Sequence, residues 1–392
     1  MVIVSRALLL LGALHSATSD LRLVVGIWMA GETPLTRLLF RNKTDDFTMA
    51  PLKTNNGLLR LTNDGVKEMY ELGLWLKERY VTNSPFASES IQRDETVVES
   101  SAHPAALESA EAVVEGLFCK NDCNSSHSDI TYSWSPFAIY PSRMRGPDLL
   151  LDPPPFNCKE YIRAIAIENA ELIRRSNSAT QAWYRKIAEY LGNKEFTGQN
   201  ITNGINVRQL IRQIPNTKWL SDSINGTTTL QWIQKVNKQH FLSSVNSNEK
   251  VRMIAGALLN DLISTIEDIA FSSERMLKAR FLSTNNQRLL LALKYAMGIE
   301  ITDVAPPGSV LIVEVHDRKD AEHTVEIYSR TRGDRVTQHK IMDCSHRCPL
   351  SRFLSNVKSM SVTQEKLHLI CSSTYHAPSF VVIVGLLLHV CT

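Results

Sequence analysis

The segment from Leu21 to Trp28 restricts the fold of this chain more than any other stretch of its sequence. It is nearly continuously apolar and rich in β-branched residues, with only Arg22 and Gly26 as interruptions. Such a run is typical of a strand that is buried on both faces, as in parallel sheets covered by helices. The sequence therefore predicts that residues 21–28 form a central strand of an α/β domain.

The rest of the chain carries helical and strand-like patterns. Apolar residues recur at helical spacing in residues 65–80 and 106–117, and strand-like runs return at residues 310–315 and 325–328. Strands thus bracket helices at both ends of the chain, which predicts an α/β fold with a central, mostly parallel sheet flanked by helices. Residues from about 158 to 280 show helical periodicity without a convincing strand, so we expect an inserted helical cap there.

The composition indicates a folded protein without a nucleic-acid partner. The chain has 392 residues, enough for one large domain or two ordinary ones. Hydrophobic residues make up 43% and charged residues 21%, close to the globular average, which argues against wholesale disorder. The net charge of +3 is too small to give the strong positive field that nucleic-acid binding requires.

The N-terminus predicts export. Met1 to Ser19 combine Arg6 with a short apolar run and end in small residues, the pattern of a secretory signal peptide; a buried N-terminal helix is the alternative. Glycans are then expected at four Asn-x-Ser/Thr sequons, Asn42, Asn124, Asn200 and Asn225. We therefore expect a secreted or lysosomal glycoprotein whose folded domain covers residues 20–378.

The C-terminal residues 379–392 form an apolar tail. The apolar run from Phe380 to Val390 is too short for a transmembrane helix, which needs roughly 20 residues. Small residues precede this run, so one interpretation is a lipid-anchor signal that attaches the protein to a membrane. The other interpretation is an ordinary apolar tail.

Six sequence blocks in a fixed order carry a resemblance to a known family. In the first block Gly31 and Pro34 follow the predicted strand, where the family reads RHGxR and then a proline. The other five blocks are residues 57–80, 99–110, 148–158, 306–316 and 344–353. They resemble the histidine acid phosphatases, the branch of the histidine phosphatase superfamily that includes lysosomal and prostatic acid phosphatases and many nematode paralogues. The match runs from about Leu21 to Cys371.

Catalysis in that family needs a nucleophilic histidine, arginines that hold the phosphoryl group and an acid that protonates the leaving alcohol. The resemblance places Ala30 at the nucleophile and Gln287 at the proton donor, with Asn286 beside it. The arginine positions hold Met29, Thr33, Glu99 and Ala105. The resemblance therefore implies a degenerate, nematode-type member without the catalytic residues. A carboxylate at Glu99, some 4 Å from a phosphate oxygen, would repel it by roughly 4 kcal/mol at an effective dielectric near 20.

The resemblance also bears on cross-links and partners. It implies the disulfides Cys158–Cys371 and Cys344–Cys348, and it leaves Cys119–Cys123 as a plausible local bridge. It implies a homodimer, and neither a metal nor a cofactor.

Three functional hypotheses fit this pattern. We favour a secretory-pathway pseudophosphatase that acts by binding an unknown ligand or protein. The alternative is an active acid phosphatase that hydrolyses phosphate monoesters with a rearranged site, for which His103 is the candidate nucleophile; an exposed loop histidine is the simpler interpretation of His103. The third hypothesis is a carrier of a neutral or apolar ligand beside Met29 and Ala30. The sequence contains no GxSxG motif, glycine-rich phosphate loop or zinc-type cluster for other chemistries.

Overall fold

The computed structural model describes residues 20–34, 60–84, 86–90, 92–119, 137–142, 147–153, 158–170, 181–183, 185–186, 218–272, 277–302, 304–317, 322–331 and 335–372. Their strands are β1 (Asp20–Met29), β2 (Thr96–Ser100), β3 (Ile139–Pro141), β4 (Ser223–Ile224), β5 (Thr227–Thr228), β6 (Ala279–Thr284), β7 (Val310–Asp317), β8 (Thr324–Thr331), β9 (Arg335–His339) and β10 (Arg347–Pro349). Their helices are α1 (Asn63–Lys77), α2 (Pro104–Leu117), α3 (Lys159–Glu168), α4 (Thr229–Ser243), α5 (Asn248–Phe271), α6 (Gln287–Ala296), α7 (Leu350–Lys358) and α8 (Gln364–Ser372), with a π-helical turn at Glu78–Thr82 and a 3-10 turn at Lys218–Ser221.

Strand β1 lies in the middle of a mixed sheet, as its sequence predicted. The strand order is β10-β8-β7-β1-β6-β2-β3, and β9 is also paired with β8. The neighbours β1, β6, β2 and β3 run parallel to one another. The remaining pairs, which join β1, β7, β8, β9 and β10, are antiparallel. The predicted α/β fold is confirmed, and its parallel strands adjoin the central strand on one side.

Helices cover both faces of the sheet. On one face α1 and α2 pack over Val24 and Trp28 of β1. On the other face α5, α6 and α7 pack over Val25 and Ile27. All four side chains are completely buried, which is why β1 needs an apolar residue at nearly every position.

Helices α1 and α2 approach each other too closely for side chains at two positions. A Cβ built on Gly73 of α1 would lie 2.2 Å from the carbonyl oxygen of Val113 in α2. A Cβ built on Gly116 of α2 would lie 2.3 Å from a carbonyl oxygen of α1. The two glycines therefore allow the close approach of α1 and α2.

The region predicted as a helical cap contains α3, α4 and α5, but the prediction that it lacks strands is wrong. Strands β4 and β5 form a hairpin whose turn residues, Asn225 and Gly226, have φ angles of 51° and 78°. Each strand has two residues, too few for any alternation to show in the sequence. Helix α5 packs directly on the central sheet. The boundaries of a cap stay a prediction.

Two disulfides, one long-range and one local, are the two pairings that the resemblance implied. Cys158, which precedes α3, is bonded to Cys371 in α8, and Cys344 is bonded to Cys348 in β10. The first closes a loop of 213 residues, for which chain entropy gives a stabilisation of roughly 5 kcal/mol. Cys119 is also disulfide-bonded, whereas Cys123 lies outside the described residues.

Several predictions fall on residues outside the described ranges and stay predictions. They concern the signal peptide at 1–19, the sequons Asn42, Asn124 and Asn200, and the tail at 379–392. The fourth sequon residue, Asn225, is exposed at its hairpin turn. Within the described ranges, no helix is both long enough and apolar enough to cross a membrane.

Candidate functional site

The carboxyl ends of three parallel strands bring the predicted site residues together. Strand β6 lies between β1 and β2, and Leu282 pairs with both Ile27 and Glu99. Beyond the strand ends the backbone contacts continue, because the Ala30 N–H donates to the Thr284 carbonyl at 2.8 Å. Ligand sites in such sheets lie outside the carboxyl ends of the strands, so this edge is the candidate site.

Ala30 sits in a packed corner of backbone. The residue is 0% exposed and belongs to the hydrophobic cluster under α1. Its carbonyl accepts a hydrogen bond from the Gly308 N–H at 3.2 Å, and a Cβ built on the following Gly31 would lie 2.8 Å from the Gly65 carbonyl oxygen. The backbone around the predicted nucleophile position is therefore tightly packed. The side chain at that position is only the methyl group of Ala30.

Glu99 does not present a free anion, and this corrects the repulsion argument drawn from the sequence. Its Oε2 lies 2.6 Å from Nε of Arg280, and Nη1 of Arg280 lies 2.7 Å from Oδ2 of Asp261 in α5. Burial lowers the pKa of Arg280, but hydrogen bonds and the charges of Glu99 and Asp261 outweigh burial and raise it. The pairing arises because Val97 lies opposite Arg280 in the sheet, which places Glu99 diagonally across on the same face.

Asn286 and Gln287 start a helix instead of donating a proton. The Asn286 side chain accepts a hydrogen bond from the Arg288 N–H at 3.1 Å, which caps α6. Its Nδ2 also donates to the Pro153 carbonyl at 3.3 Å. The Gln287 Nε2 donates to the carbonyl of Ala305. Both amides are therefore held in structural hydrogen bonds, and neither is an acid.

His103 is a half-buried helix cap, which corrects the interpretation of an exposed loop histidine. Its Nδ1 accepts a hydrogen bond from the Ala105 N–H at 3.2 Å, so it caps α2 immediately before Pro104. Its Nε2 lies 3.1 Å from Nδ2 of Asn285. Burial lowers the pKa of His103, which favours the neutral ring.

Asn285 is a residue at these strand ends that the sequence analysis did not identify. Asn285 directly follows the last residue of β6. Its position at the end of a strand is the feature of the sequence that could have identified it. Because β6 and β2 are parallel neighbours, a residue just after β6 meets the start of α2, where His103 lies.

The remaining predicted positions carry no phosphate-binding group. Met29 and Thr33 are partly buried, and Ala105 is completely buried. Thr62 caps α1 through a 3.0 Å hydrogen bond from the Gly65 N–H.

A possible metal-ligand group lies away from this edge, on the antiparallel half of the sheet. The ligand atoms of Glu314, His316 and Glu326 lie within 4.8 Å of one another. Each carboxylate is already paired with an arginine: Glu314 lies 2.7 Å from Arg79, and Glu326 lies 2.5 Å from Arg347. The two arginines cancel the negative charge that would attract a divalent cation.

Comparisons with known proteins agree with this architecture. The sequence model of the histidine phosphatase superfamily (branch 2) matches residues 37–330. Lysosomal acid phosphatase from Bos taurus is 25% identical over 310 residues, which cover 77% of this chain and 70% of the bovine protein. Testicular acid phosphatase from Homo sapiens is 26% identical over 322 residues, which cover 76% of this chain and 70% of the human protein.

Solved structures show the same fold at lower identity. Hafnia alvei phytase in complex with myo-inositol hexakis sulphate superposes with a TM-score of 0.63 at 14% identity, covering 88% of this chain and 98% of the phytase. The phytase from Citrobacter braakii gives a TM-score of 0.61 at 15% identity, with the same coverage.

Proposed function

The chain belongs to the histidine phosphatase superfamily, branch 2, and from this membership we propose that it is a secretory-pathway acid phosphatase-like protein that does not hydrolyse phosphate esters and acts by binding. The family match over residues 37–330 and the acid phosphatase relatives support the scaffold. The contacts of the residues at the strand ends support the loss of catalysis.

The observation that carries this proposal is the environment of Ala30. A methyl group has no electron pair that can attack phosphorus, and the side chain of Ala30 is completely buried. In a well-studied hydrolase, removal of the nucleophile alone costs about a millionfold in turnover. Loss of this one group therefore suffices to remove hydrolysis by the family's route.

The other predicted catalytic positions support the same conclusion because their side chains are engaged elsewhere. Asn286 caps a helix, Gln287 binds a carbonyl, and Glu99 pairs with Arg280. A phosphate dianion would have to break these bonds without gaining an arginine at any of the predicted positions. The polar side chains at these strand ends therefore stabilise the fold instead of binding a substrate.

A rearranged active site is the rival proposal, and the position of His103 is the observation that favours it. The imidazole lies at the strand ends, where a nucleophile would be needed. Its Nδ1, however, accepts the Ala105 N–H, and its Nε2 faces the Asn285 amide. Attack on phosphorus would require Nε2 to leave Asn285 and to find a phosphate that no cation holds.

The proposed location rests on the relatives and the disulfides. Several relatives are lysosomal acid phosphatases, including the bovine and human proteins. The Cys158–Cys371 and Cys344–Cys348 bridges form and persist in oxidising compartments. Both observations support passage through the secretory pathway to the lysosome or beyond.

A turnover assay tests the proposal. Purified protein is incubated with p-nitrophenyl phosphate near pH 5, beside the His103→Ala variant as the matched control. We expect no phosphate release above the rate of the buffer from either protein. Turnover by the wild type that His103→Ala abolishes would overturn the proposal in favour of the rearranged site.

A further inference from the structure

Helix α4 contacts the first turn of α6 through a histidine and an arginine. Nη2 of Arg288, the second residue of α6, lies 3.1 Å from Nε2 of His240 in the last turn of α4. The Arg288 guanidinium also lies over the ring of the neighbouring Phe241, 5.3 Å from the ring centroid. Because Asn286 and Gln287 directly precede Arg288, this contact joins α4 to the border of the candidate site.

The chemistry of the two groups fixes which ring nitrogen carries the proton. A guanidinium has only hydrogen-bond donors, so Nε2 of His240 is the acceptor and the neutral ring carries its proton on Nδ1. When acid protonates Nε2, the hydrogen bond from Arg288 is lost and two positive charges face each other at the same place. Protonation therefore converts an attractive contact between α4 and α6 into a repulsive one.

The other titratable groups around this end of α4 do not offset that charge. Burial and then the charge of Arg288 lower the pKa of His240 to about 4, and among the described residues no carboxylate forms a hydrogen bond or an ion pair with His240. Burial raises the pKa of Tyr161 in α3, so its hydroxyl is neutral in acid. Lys250 of α5 and Glu168 of α3 lie 2.9 Å apart and pair with each other. None of these groups offers a negative charge to a protonated His240.

Hydrogen bonds that do not involve the imidazole hold the end of α4. The Tyr161 hydroxyl donates to the Ser244 carbonyl at 3.0 Å, which links α4 to α3. Nζ of Lys250 donates to the Ser243 carbonyl at 3.0 Å, which links α4 to α5. Both bonds remain when the imidazole is protonated. Loss of the contact with the arginine therefore separates α4 from α6 without detaching the end of α4 from its other neighbours.

We propose that the His240–Arg288 pair is an acid-opened latch: in an acidic compartment α4 separates from the first turn of α6, which borders the candidate site and becomes accessible to a ligand. Opening breaks only the hydrogen bond between the two side chains and the packing around it. The link to ligand access rests on the proposed binding function, whereas the opening itself rests on the contact between α4 and α6.

Hydrogen exchange of the α4 amides tests the latch. Exchange in residues 229–243 is measured at pH 7 and at pH 5 and is corrected for the intrinsic effect of pH on the exchange rate. A His240 pKa of about 4 in the closed state and 6.5 in the open state predicts that protection is about 20-fold lower at pH 5. Unchanged protection in α4, or an equal loss of protection in the central strand β1, would overturn the proposal.

Matched variants separate the latch from a general effect of acid. In His240→Gln the amide oxygen can still accept the hydrogen bond from Arg288 but does not titrate, so α4 should be equally protected at pH 7 and pH 5. His368→Gln, on the exposed side of α8, should lose protection in α4 as wild type does. A loss in His240→Gln as large as in wild type would refute the latch.

A second measurement covers the case in which His240→Gln does not fold. The His240 ring protons of wild type and of Arg288→Gln are followed by NMR through a pH titration. Without the guanidinium charge the pKa of His240 should rise from about 4 towards 6.5, and an unchanged pKa would refute the pairing. Phosphate release in the turnover assay would overturn the proposed function alone, because exchange of the α4 amides does not depend on hydrolysis.

Discussion

The two halves of the sheet differ in the side chains that they present, although both contain carboxylates paired with arginines. At the carboxyl ends of the parallel strands, the positions that the sequence resemblance assigns to catalysis hold a methyl group, two amides and a carboxylate paired with Arg280. On the antiparallel half, Glu314 and Glu326 are buried, each against an arginine. In our proposal, charged side chains hold strands and helices together in both halves, and none of those at the strand ends binds a substrate.

The largest effect is expected from the antiparallel half. The Glu314 side chain is 5% exposed, and Oε1 accepts hydrogen bonds from Arg79 at 2.7 Å and from Tyr80 at 2.7 Å. Glu314→Gln leaves the Arg79 charge without its partner, so we expect a loss of about 3 kcal/mol in the free energy of unfolding, measured with urea. Glu71→Gln on the exposed surface of α1 is the control, with less than about 0.5 kcal/mol. Similar losses in the two variants would show that the buried Glu314–Arg79 pair stabilises the fold no more than an exposed charge does.

Acid should destabilise the protein through His240. Burial and then the charge of Arg288 lower the pKa of His240 to about 4, from 6.5 in the unfolded chain. Because the pKa of His240 is lower in the folded state than in the unfolded chain, the buried ring favours folding only while it is neutral. Its contribution to the free energy of unfolding is fully present above pH 6.5 and is lost as the pH falls towards 4, by up to about 3 kcal/mol. Urea unfolding at pH 7, 5.5 and 4 should show a smaller loss for His240→Gln than for wild type. Parallel curves would show that His240 carries none of the effect.

The packing of α1 against α2 should be sensitive to a single added methyl group. Gly73→Ala places a Cβ 2.2 Å from the Val113 carbonyl oxygen, and the separation of α1 and α2 that this forces should cost about 2 kcal/mol. Thermal unfolding of this variant beside Glu71→Ala, which changes the exposed side of the same helix, measures the effect. An unchanged melting temperature would mean that the two helices are not in the close contact described.

The smallest effect is expected from neutralising Glu99. Because Arg280 keeps Asp261 as a partner, Glu99→Gln should cost about 1 kcal/mol, the net contribution of one hydrogen bond. The substitution should not create phosphate affinity at the strand ends, because the Glu99 carboxylate is bonded to Arg280 and is not directed at a ligand. Phosphate binding gained by this variant and absent from wild type would show that Glu99 does act as a repelling charge.

The sequence predicted elements better than it predicted contacts. Residues 21–28 were expected as a central strand, and β1 is central and runs from Asp20 to Met29. This prediction was possible because a strand buried on both faces has apolar residues at nearly every position. The capping role of Asn286 depends on local chemistry, because asparagine is a favoured residue at the start of a helix. The hairpin at residues 223–228 was not predicted, although its Asn-Gly turn is a known hairpin signal, because its strands are too short to alternate.

The pairing of Glu99 with Arg280 was beyond the sequence for a different reason. The two residues are 181 positions apart, and only the register of β2 against β6 brings them to the same face. The same register places Asn285 opposite His103. A site assembled from strand ends thus depends on pairings that no local pattern records, which is why the sequence did not predict its charge balance.

Crystals soaked in vanadate at pH 5 test the central claim most directly, because vanadate adopts the geometry of a phosphoryl group under attack. The account predicts no vanadate beside Ala30, with Asn286 and Gln287 still bonded to Pro153 and Ala305 and Glu99 still paired with Arg280. Vanadate bound to Nε2 of His103, with Asn285 displaced, would contradict it.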